Sequence, residues 1–583
     1  MFNETDVNLG HMTLGFVDYL IFILLLGVSL LIGVYFAFFS KQNNTNEYLF
    51  GGKTMNYLPI AMSILASHVS GMTLLGVPTE VYYYGSQYTA VIFTTLFTAI
   101  ITIYIFLPVF YKLQLPSTFR YLEIRFAKPV KLLCSGLYII SLLIYIPIVV
   151  YVPALAFSQV TKFSIHALTP IICIVCITYT TMGGLKAVVW TDTIQLSLTF
   201  GGLIAILIIG IKKVGGFAEV IRISDEGGRL IFFNTNPDPF QRSSFWAMSV
   251  GMTFHFVGHI SINQGVIQRF LSVPTQRHAI ISMLLMSGGM IFIKLIAVLV
   301  GLAIFAYYYN CDPLITNAIK QSDQIFPFYV MDITGNLSGL PGLFLAGLVS
   351  SALSTMSCSL NTLSGSIYED FIDSWIPENE NKEEKAANIM KILVVIIGVV
   401  SVGLVFVVEN LGTIFEMGIS MRAVVDGPVL GLFILGIMVP WVKTRGAMIG
   451  TFTSLVILSW LGGGTQWYKI QGKLKHNKLP VSVDGCSYPL NETIITQLLF
   501  NDDDAPIIYH FSFLYYTLLG LFICIFTAII GSILLGETEL NSIDPNHITP
   551  IMQRFLPKKN IYREIPMRII DDVMGPVDKS IKN

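Results

Sequence analysis

Repeated apolar runs, each long enough to cross a lipid bilayer, constrain this chain more than any other feature. A helix needs about 20 mostly apolar residues to span a hydrocarbon core roughly 30 Å thick. No water reaches that core, so each run must satisfy its own backbone hydrogen bonds, which a helix does. About thirteen runs qualify by a sliding hydropathy window: residues 16–39, 57–83, 87–112, 132–158, 166–184, 188–212, 245–265, 277–307, 336–367, 387–408, 411–438, 442–463 and 510–535. Of the 583 residues 54% are hydrophobic and only 12% charged, about half the charged share of a soluble domain. The net charge of −1 lacks the basic footprint of a nucleic-acid-binding protein. The expected fold class is an all-α polytopic membrane protein embedded in the lipid bilayer.

Loop charges set the expected orientation, because short cytoplasmic loops collect Lys and Arg. Lys112, Arg120, Arg125, Lys128 and Lys131 crowd one loop, Arg269 and Arg277 another, and Lys443 and Arg445 a third. The tail carries Lys558, Lys559, Arg563 and Arg568. An odd number of spans with residues 1–15 outside puts all of these, and the 536–583 tail, in the cytoplasm of a plasma-membrane protein. The loop at 213–244 is an exception, since Lys213, Arg222, Arg229 and Arg242 lie there among acids. Glycosylation sequons at Asn336 and Asn491, and at Asn3, fall outside in this topology, while that at Asn43 falls inside. Residues 1–15 lack the basic start of a cleaved signal peptide, so the first span is expected to remain. Cys311 and Cys486 share the outer compartment, which permits a disulfide between them. Cys173 and Cys176 have a redox spacing but lie in an apolar helix, where free thiols pack as small hydrophobes.

Interruptions in the spans carry the functional information. Transporters often bind at the membrane midplane between discontinuous helices in matching positions of two repeats. In the second span, Ala66-Ser67-His68-Val69-Ser70-Gly71-Met72-Thr73 is too polar for a plain lipid-facing helix. Five spans later the seventh repeats Gly251-Met252-Thr253. In the ninth span Ser351, Ser354 and Thr355 fall at i, i+3 and i+4 and so share a face. Hydroxyls on such a face, opposed by freed carbonyls of an unwound helix, make an all-oxygen site for sodium; the alternative is that they bond back to their own helix.

Longer motifs then resemble a known family. The run Tyr179-Thr180-Thr181-Met182-Gly183-Gly184-Leu185-Lys186-Ala187-Val188-Val189-Trp190-Thr191-Asp192-Thr193-Ile194-Gln195 is similar to the signature of the sodium:solute symporter family, as are Tyr121-Leu122-Glu123-Ile124-Arg125-Phe126 and Asn263-Gln264-Gly265-Val266-Ile267-Gln268-Arg269. Leu75-Gly76-Val77-Pro78-Thr79-Glu80-Val81-Tyr82 resembles the branch holding sodium-coupled monocarboxylate, multivitamin and iodide transporters. The resemblance implies a LeuT-type inverted repeat of five plus five helices, 57–212 and 245–438, preceded by the helix 16–39. Two helices follow within 442–535, flanking an extracellular loop at 464–509. It also implies sodium as the coupling ion, held by the carbonyls of Ala66, Val69 and Ser351 and the hydroxyls of Ser354 and Thr355. A second sodium would fall near Ser70, Thr73 and Tyr151. The substrate cavity would be lined by His68, Thr73, Trp246 and the eleventh span around Ile419.

That eleventh span departs from the family pattern by placing Arg422 and Asp426 inside an apolar stretch. A charge at the bilayer centre costs about 3 kcal/mol or more, so intramembrane charges are functional candidates. Two readings stand: the i, i+4 pair satisfies itself, or Arg422 faces the cavity and binds a substrate carboxylate. His255 and His259 also sit at i, i+4, but no Cys or carboxylate nearby completes a metal-ligand set, so no metal beyond sodium is expected. Gly51-Gly52-Lys53-Thr54 lacks the leading Gly of a phosphate loop, with Glu47 in its place, and ATP-driven transport is unsupported. The expected function is not enzymatic. It is sodium-coupled symport of a small organic anion, monocarboxylate-like, by alternating access. A multivitamin, iodide or neutral-solute transporter, or a non-transporting sodium-dependent sensor, remains as an alternative.

Overall fold

The computed structural model describes residues 14–39, 45–161, 163–316, 318–334, 337–377, 382–408, 414–474, 476, 478–486, 505–537 and 544–554. The expected sequons at Asn336 and Asn491 lie outside them. Every regular element among the described residues is helical. The long helices are α1 (Phe16–Phe39), α2 (Tyr57–His68), α3 (Met72–Tyr84), α4 (Ser86–Leu113), α5 (Lys128–Thr161) and α6 (Ile165–Val214), followed by α7 (Met252–Ser261), α8 (Gln276–Tyr307) and α9 (Leu340–Trp375). The series ends with α10 (Lys382–Val408), α11 (Ile414–Met438), α12 (Thr444–Ile470) and α13 (Tyr516–Leu534).

Among the described residues ten helices are long and apolar enough to cross a membrane, or eleven if the bent pair α2 and α3 is taken as one span. The expected spans 166–184 and 188–212 follow one another without a loop in the 50 residues of α6. Its helical path breaks at Gly184 (φ 52°, ψ −155°), a conformation open to glycine because it has no Cβ. The expected span 245–265 appears as a π-turn at Ala247–Gly251 leading into the short α7.

Packing divides the helices into groups. Helix α9 packs on α5, α6 and α10, and α1 lies across α6 and α9. A Cβ at Gly342 would sit 2.4 Å from Asp18 Cα, so only glycine permits the α1–α9 approach. There Asp18 Oδ1 accepts hydrogen bonds from the Gly339 and Gly342 amides, each at 2.9 Å, placing a carboxylate where a helix N-terminus favours one. Helix α8 packs on α2, α3 and α4, with α7 against α4, while α11, α12 and α13 form a third set.

Connecting segments meet at two opposite ends. At one end Cys311 is bonded to Cys486 (S–S 2.06 Å). There too the Leu479 amide donates to Tyr83 O at 2.8 Å and the Ser86 amide to Arg229 O at 2.8 Å. At the other end, Arg125 donates to the carbonyls of Gly436, Val439, Pro440 and Val442 at 2.9–3.2 Å, capping the last turn of α11. The tail docks at that same end, where Tyr121 Oη donates to His547 O at 2.9 Å and Thr549 N to Ile437 O at 3.2 Å.

Candidate functional site

The site begins at the break between α2 and α3, whose axes differ by 60°. Helix α2 stops at His68, and Val69 leaves helical geometry (φ −93°, ψ 76°) while its amide still bonds Leu65 O. A helix end leaves its last carbonyls without intrahelical partners, so those from Ala66 onward are free to turn elsewhere. Thr355 of α9 reaches one of them: its hydroxyl lies 3.2 Å from Ser67 O and 3.0 Å from Ser351 O.

Beside the break is a cavity of about 10 Å³ lined by Ala66, Val69, Gln195, Leu196, Thr199, Ser350, Ser351 and Ser354. That is about the room one water needs. Ser350 Oγ and Gln195 Oε1 are buried without hydrogen-bond partners, and Ser354 Oγ is turned toward the buried Asp192 carboxylate. Ser351 Oγ donates to Leu348 O at 2.7 Å, which leaves its lone pairs available. A single-ion space walled by hydroxyl and amide oxygens fits a hard monovalent cation, since such ions take oxygen ligands. Ala66, Val69, Ser351 and Ser354 therefore share one cavity; Thr355, next to Ser354, lines the neighbouring one.

A second cavity, of about 30 Å³, adjoins the first through the same break and the same face of α9. His68, Tyr138, Tyr145, His259, Asn263, Thr355, Ser359, Thr362 and Arg422 are among its walls. Arg422 faces the cavity and neighbours Asp426 at once. It lines the cavity with its guanidinium 4.7 Å from the Tyr145 ring centroid, and its Nε lies 3.5 Å from Asp426 Oδ2. Neither of those two atoms has a hydrogen-bond partner of good geometry, so the pair is loose. His68 and His259 meet edge to face at 4.8 Å. His68 Nδ1 lies 2.8 Å from Ile64 O; a carbonyl can only accept, so that nitrogen carries a proton.

Three expected substrate residues stand apart from this wall. Trp246 is 43% exposed, with its indole N–H donating to Thr235 O at 3.1 Å. Ile419 is half-buried near the start of α11, three residues before Arg422. The Thr73 hydroxyl donates to His68 O at 3.4 Å. For the second sodium, Ser70 and Tyr151 are buried, and a Cβ at Gly71 would lie 3.0 Å from Val152 Cγ1, so α5 runs alongside the break.

Sequence reasoning missed Gln195, Thr199, Tyr138, Tyr145 and Asn263 as cavity walls. Gln195 closes the motif that begins at Tyr179, yet nothing in the motif says which way it points. The motif's Asp192 is fully buried, accepting from Ser63 Oγ at 2.6 Å and pairing with Arg269 at 3.2 Å.

A multi-pass helical protein with a broken central span, a cation-sized oxygen cavity and an adjoining cationic pocket is built as an ion-coupled solute transporter. The sequence profile of the sodium:solute symporter family matches residues 48–454, and the chain belongs to that family. It is 36% identical over 540 residues to sodium-coupled monocarboxylate transporter 2 of Mus musculus, covering 92% of this chain and 87% of the relative. Over 564 residues it is 34% identical to sodium-coupled monocarboxylate transporter 1 of Homo sapiens, covering 94% and 91%. The sodium-dependent multivitamin transporter of Oryctolagus cuniculus is also 34% identical, over 561 residues covering 94% and 87%. Among solved structures, a substrate-bound, outward-open Na+-coupled sialic acid symporter superposes with a TM-score of 0.74 at 23% identity, covering 90% of this chain and 99% of that one. Closed Mhp1, a nucleobase-cation-symport-1 family transporter, gives 0.51 at 11%, covering 85% and 95%. The chain thus has a LeuT-like fold and is a sodium-coupled solute symporter.

Proposed function

We propose that this symporter carries a small monocarboxylate into the cell with sodium. The observation that supports this reading is Arg422, a cation in the wall of a cavity that shares the α2–α3 break and α9 with the oxygen-lined space. Its planar fork suits a carboxylate better than an ammonium would.

In this reading the sodium ligands are the carbonyls of Ala66, Val69 and Ser351 and the hydroxyls of Ser354 and Thr355. Sodium draws the end of α2 against α9 and thereby fixes His68 in the substrate wall. Coupling of this kind is reciprocal, so substrate tightens sodium by the same factor. Thirteen spans, obtained by dividing α6 at Gly184 and counting the segment through α7, give a five-plus-five inverted repeat with the N-terminus outside and the tail in the cytoplasm. Gly71-Met72-Thr73 and Gly251-Met252-Thr253, both at π-turns (Met72–Gly76 and Ala247–Gly251), occupy matching positions in the two halves. Each sodium entering yields about 2.3 kcal/mol per 100 mV. One sodium with one monoanion moves no net charge, so a second ion near Ser70, Thr73 and Tyr151 makes transport respond to voltage.

The test is uptake by cells expressing the protein, in sodium and in choline, across lactate, pyruvate, nicotinate, biotin, iodide and glucose. Sodium-dependent uptake of the first three supports the reading. Uptake of only biotin, iodide or glucose replaces it with another substrate class, and no uptake of any points to a sensor.

A further inference from the structure

At the disulfide-bonded end, five ionisable groups from separate elements converge where α3 and α11 approach each other. Arg242, just before the seventh span, grips Glu80 of α3 with Nη2 at 2.9 Å and Nε at 3.3 Å. Its Nη1 lies 2.8 Å from Glu416 of α11. Glu416 also pairs with Lys469 of α12, and His476 Nε2 lies 3.6 Å from it. The side chains of Arg242, Glu80 and Glu416 are 11%, 6% and 7% exposed, and the guanidinium stacks 4.3 Å from the Tyr84 ring centroid.

This cluster lies over the pocket. Glu416 precedes Arg422 by six residues of α11, about 9 Å of rise. A Cβ at Gly418 would lie 2.4 Å from Met72 Sδ, so Met72 packs directly on α11 two residues beyond Glu416. A charge layer and an apolar contact thus close α3 onto α11.

We propose that Arg242 is the pin of a gate over the outer mouth of the substrate cavity, and that Glu80 is the partner it releases when the gate opens. Burying charges carries a desolvation penalty that even good pairing only partly offsets. A buried ionic cluster is therefore a poor static cement but a good reversible contact, because opening rehydrates the charges it separates. The pin's backbone is anchored on the α13 side, where Ser512 Oγ donates to Arg242 O at 2.7 Å and Ser512 N to Pro239 O at 3.0 Å. Glu416 and Lys469 belong to the same helical set. Glu80 rides α3, the half-helix hinged at the break beside the cation cavity, so its departure joins gate opening to the site. This inference rests on the alternating-access reading above.

Labelling of Ser359→Cys, in the pocket wall, in a Cys358→Ser background, by a membrane-impermeant thiol reagent on intact cells in sodium-free medium, reads the gate. Glu80→Gln and Arg242→Gln should each raise the labelling rate about tenfold, and the double variant should add nothing further, because both remove one contact. Arg222→Gln, in an exposed ion pair elsewhere, should leave it unchanged. Unchanged labelling in both single variants, or additive increases in the double, overturns the proposal. If a single variant fails to reach the surface, Glu80→Cys/Arg242→Cys bridged by a reducible bifunctional thiosulfonate decides: blocked labelling at position 359, restored by reduction, supports the gate, and labelling indifferent to the bridge overturns it. Labelling needs no transported substrate, so its result is independent of which solute, if any, is carried.

Discussion

Replacing Arg422 by Gln should raise the half-saturating concentration of a monocarboxylate steeply while sparing its maximal rate. A hydrogen bond to a charged group contributes about 1.5–3 kcal/mol, and at about 1.36 kcal/mol per decade its loss weakens substrate binding about 10- to 150-fold. The structure also warns of a confounding cost. Asp426 is 6% exposed, and removing its partner leaves a carboxylate alone in the membrane, where breaking a buried pair costs about 3–5 kcal/mol. Arg422→Gln/Asp426→Asn removes that cost and should show the same rise in half-saturation with better expression. Asp426→Asn alone should leave half-saturation unchanged or lower, since the pair is held at 3.5 Å without hydrogen-bond geometry and its loss frees the guanidinium. The assay is initial-rate uptake of labelled lactate, normalised to surface-biotinylated protein. A half-saturating concentration within twofold of wild type in both Arg422 variants would refute a carboxylate-binding role.

Further outcomes follow from other parts of the fold. Thr355→Val removes a proposed ligand and the link to Ser67 O, so half-saturating sodium should rise about 5- to 30-fold for a loss of about 1–2 kcal/mol, and substrate half-saturation should rise with it in a sodium titration. Cys311→Ser opens a bridge between residues 175 apart in sequence; it should lower the unfolding midpoint in detergent, in line with a loss of about 2–5 kcal/mol. Arg125→Ala strips four carbonyls at the end of α11 and should lower the same midpoint with little change in half-saturation. His476 is pushed down to about 3 by burial and by Arg242. It therefore binds its proton more readily when unfolded, and its contribution to stability, full above about 6.5, should decline as pH falls from there toward 3. His476→Gln should flatten that part of the stability profile, as followed by thermal unfolding across pH.

The hydropathy pattern disclosed the helices because each span is a local property, readable from one window of residues. The break at Ala66–Thr73 was legible for the same reason: Ser, His and Gly interrupt an apolar run. The face of Ser351, Ser354 and Thr355 follows from helical period alone. What the sequence hid are contacts between helices far apart in the chain. Tyr145 and Gln195 read as ordinary residues of apolar spans until α5 and α6 are placed beside the break, and Arg125 reads as a loop charge until α11 ends against it. The turn at Gly184 lacks a polar loop, because glycine geometry does there what polar residues do elsewhere. The family resemblance points to Trp246 and Ile419, whereas the described wall takes His259 and Asn263 farther along the seventh span and Arg422 farther along α11. Arg422 and Asp426 could not be assigned to pairing or to the pocket from spacing, since the arrangement does both.

The central claim is that the oxygen-lined space and the Arg422 pocket act as one coupled device. The most direct measurement places purified protein in vesicles and follows labelled sodium and labelled lactate together, with a sodium gradient directed inward. The account predicts lactate accumulation above its equilibrium level, sodium entry that rises when lactate is present, and loss of both effects in Thr355→Val at limiting sodium. Lactate entry that ignores the sodium gradient, or sodium entry that ignores lactate, would contradict it.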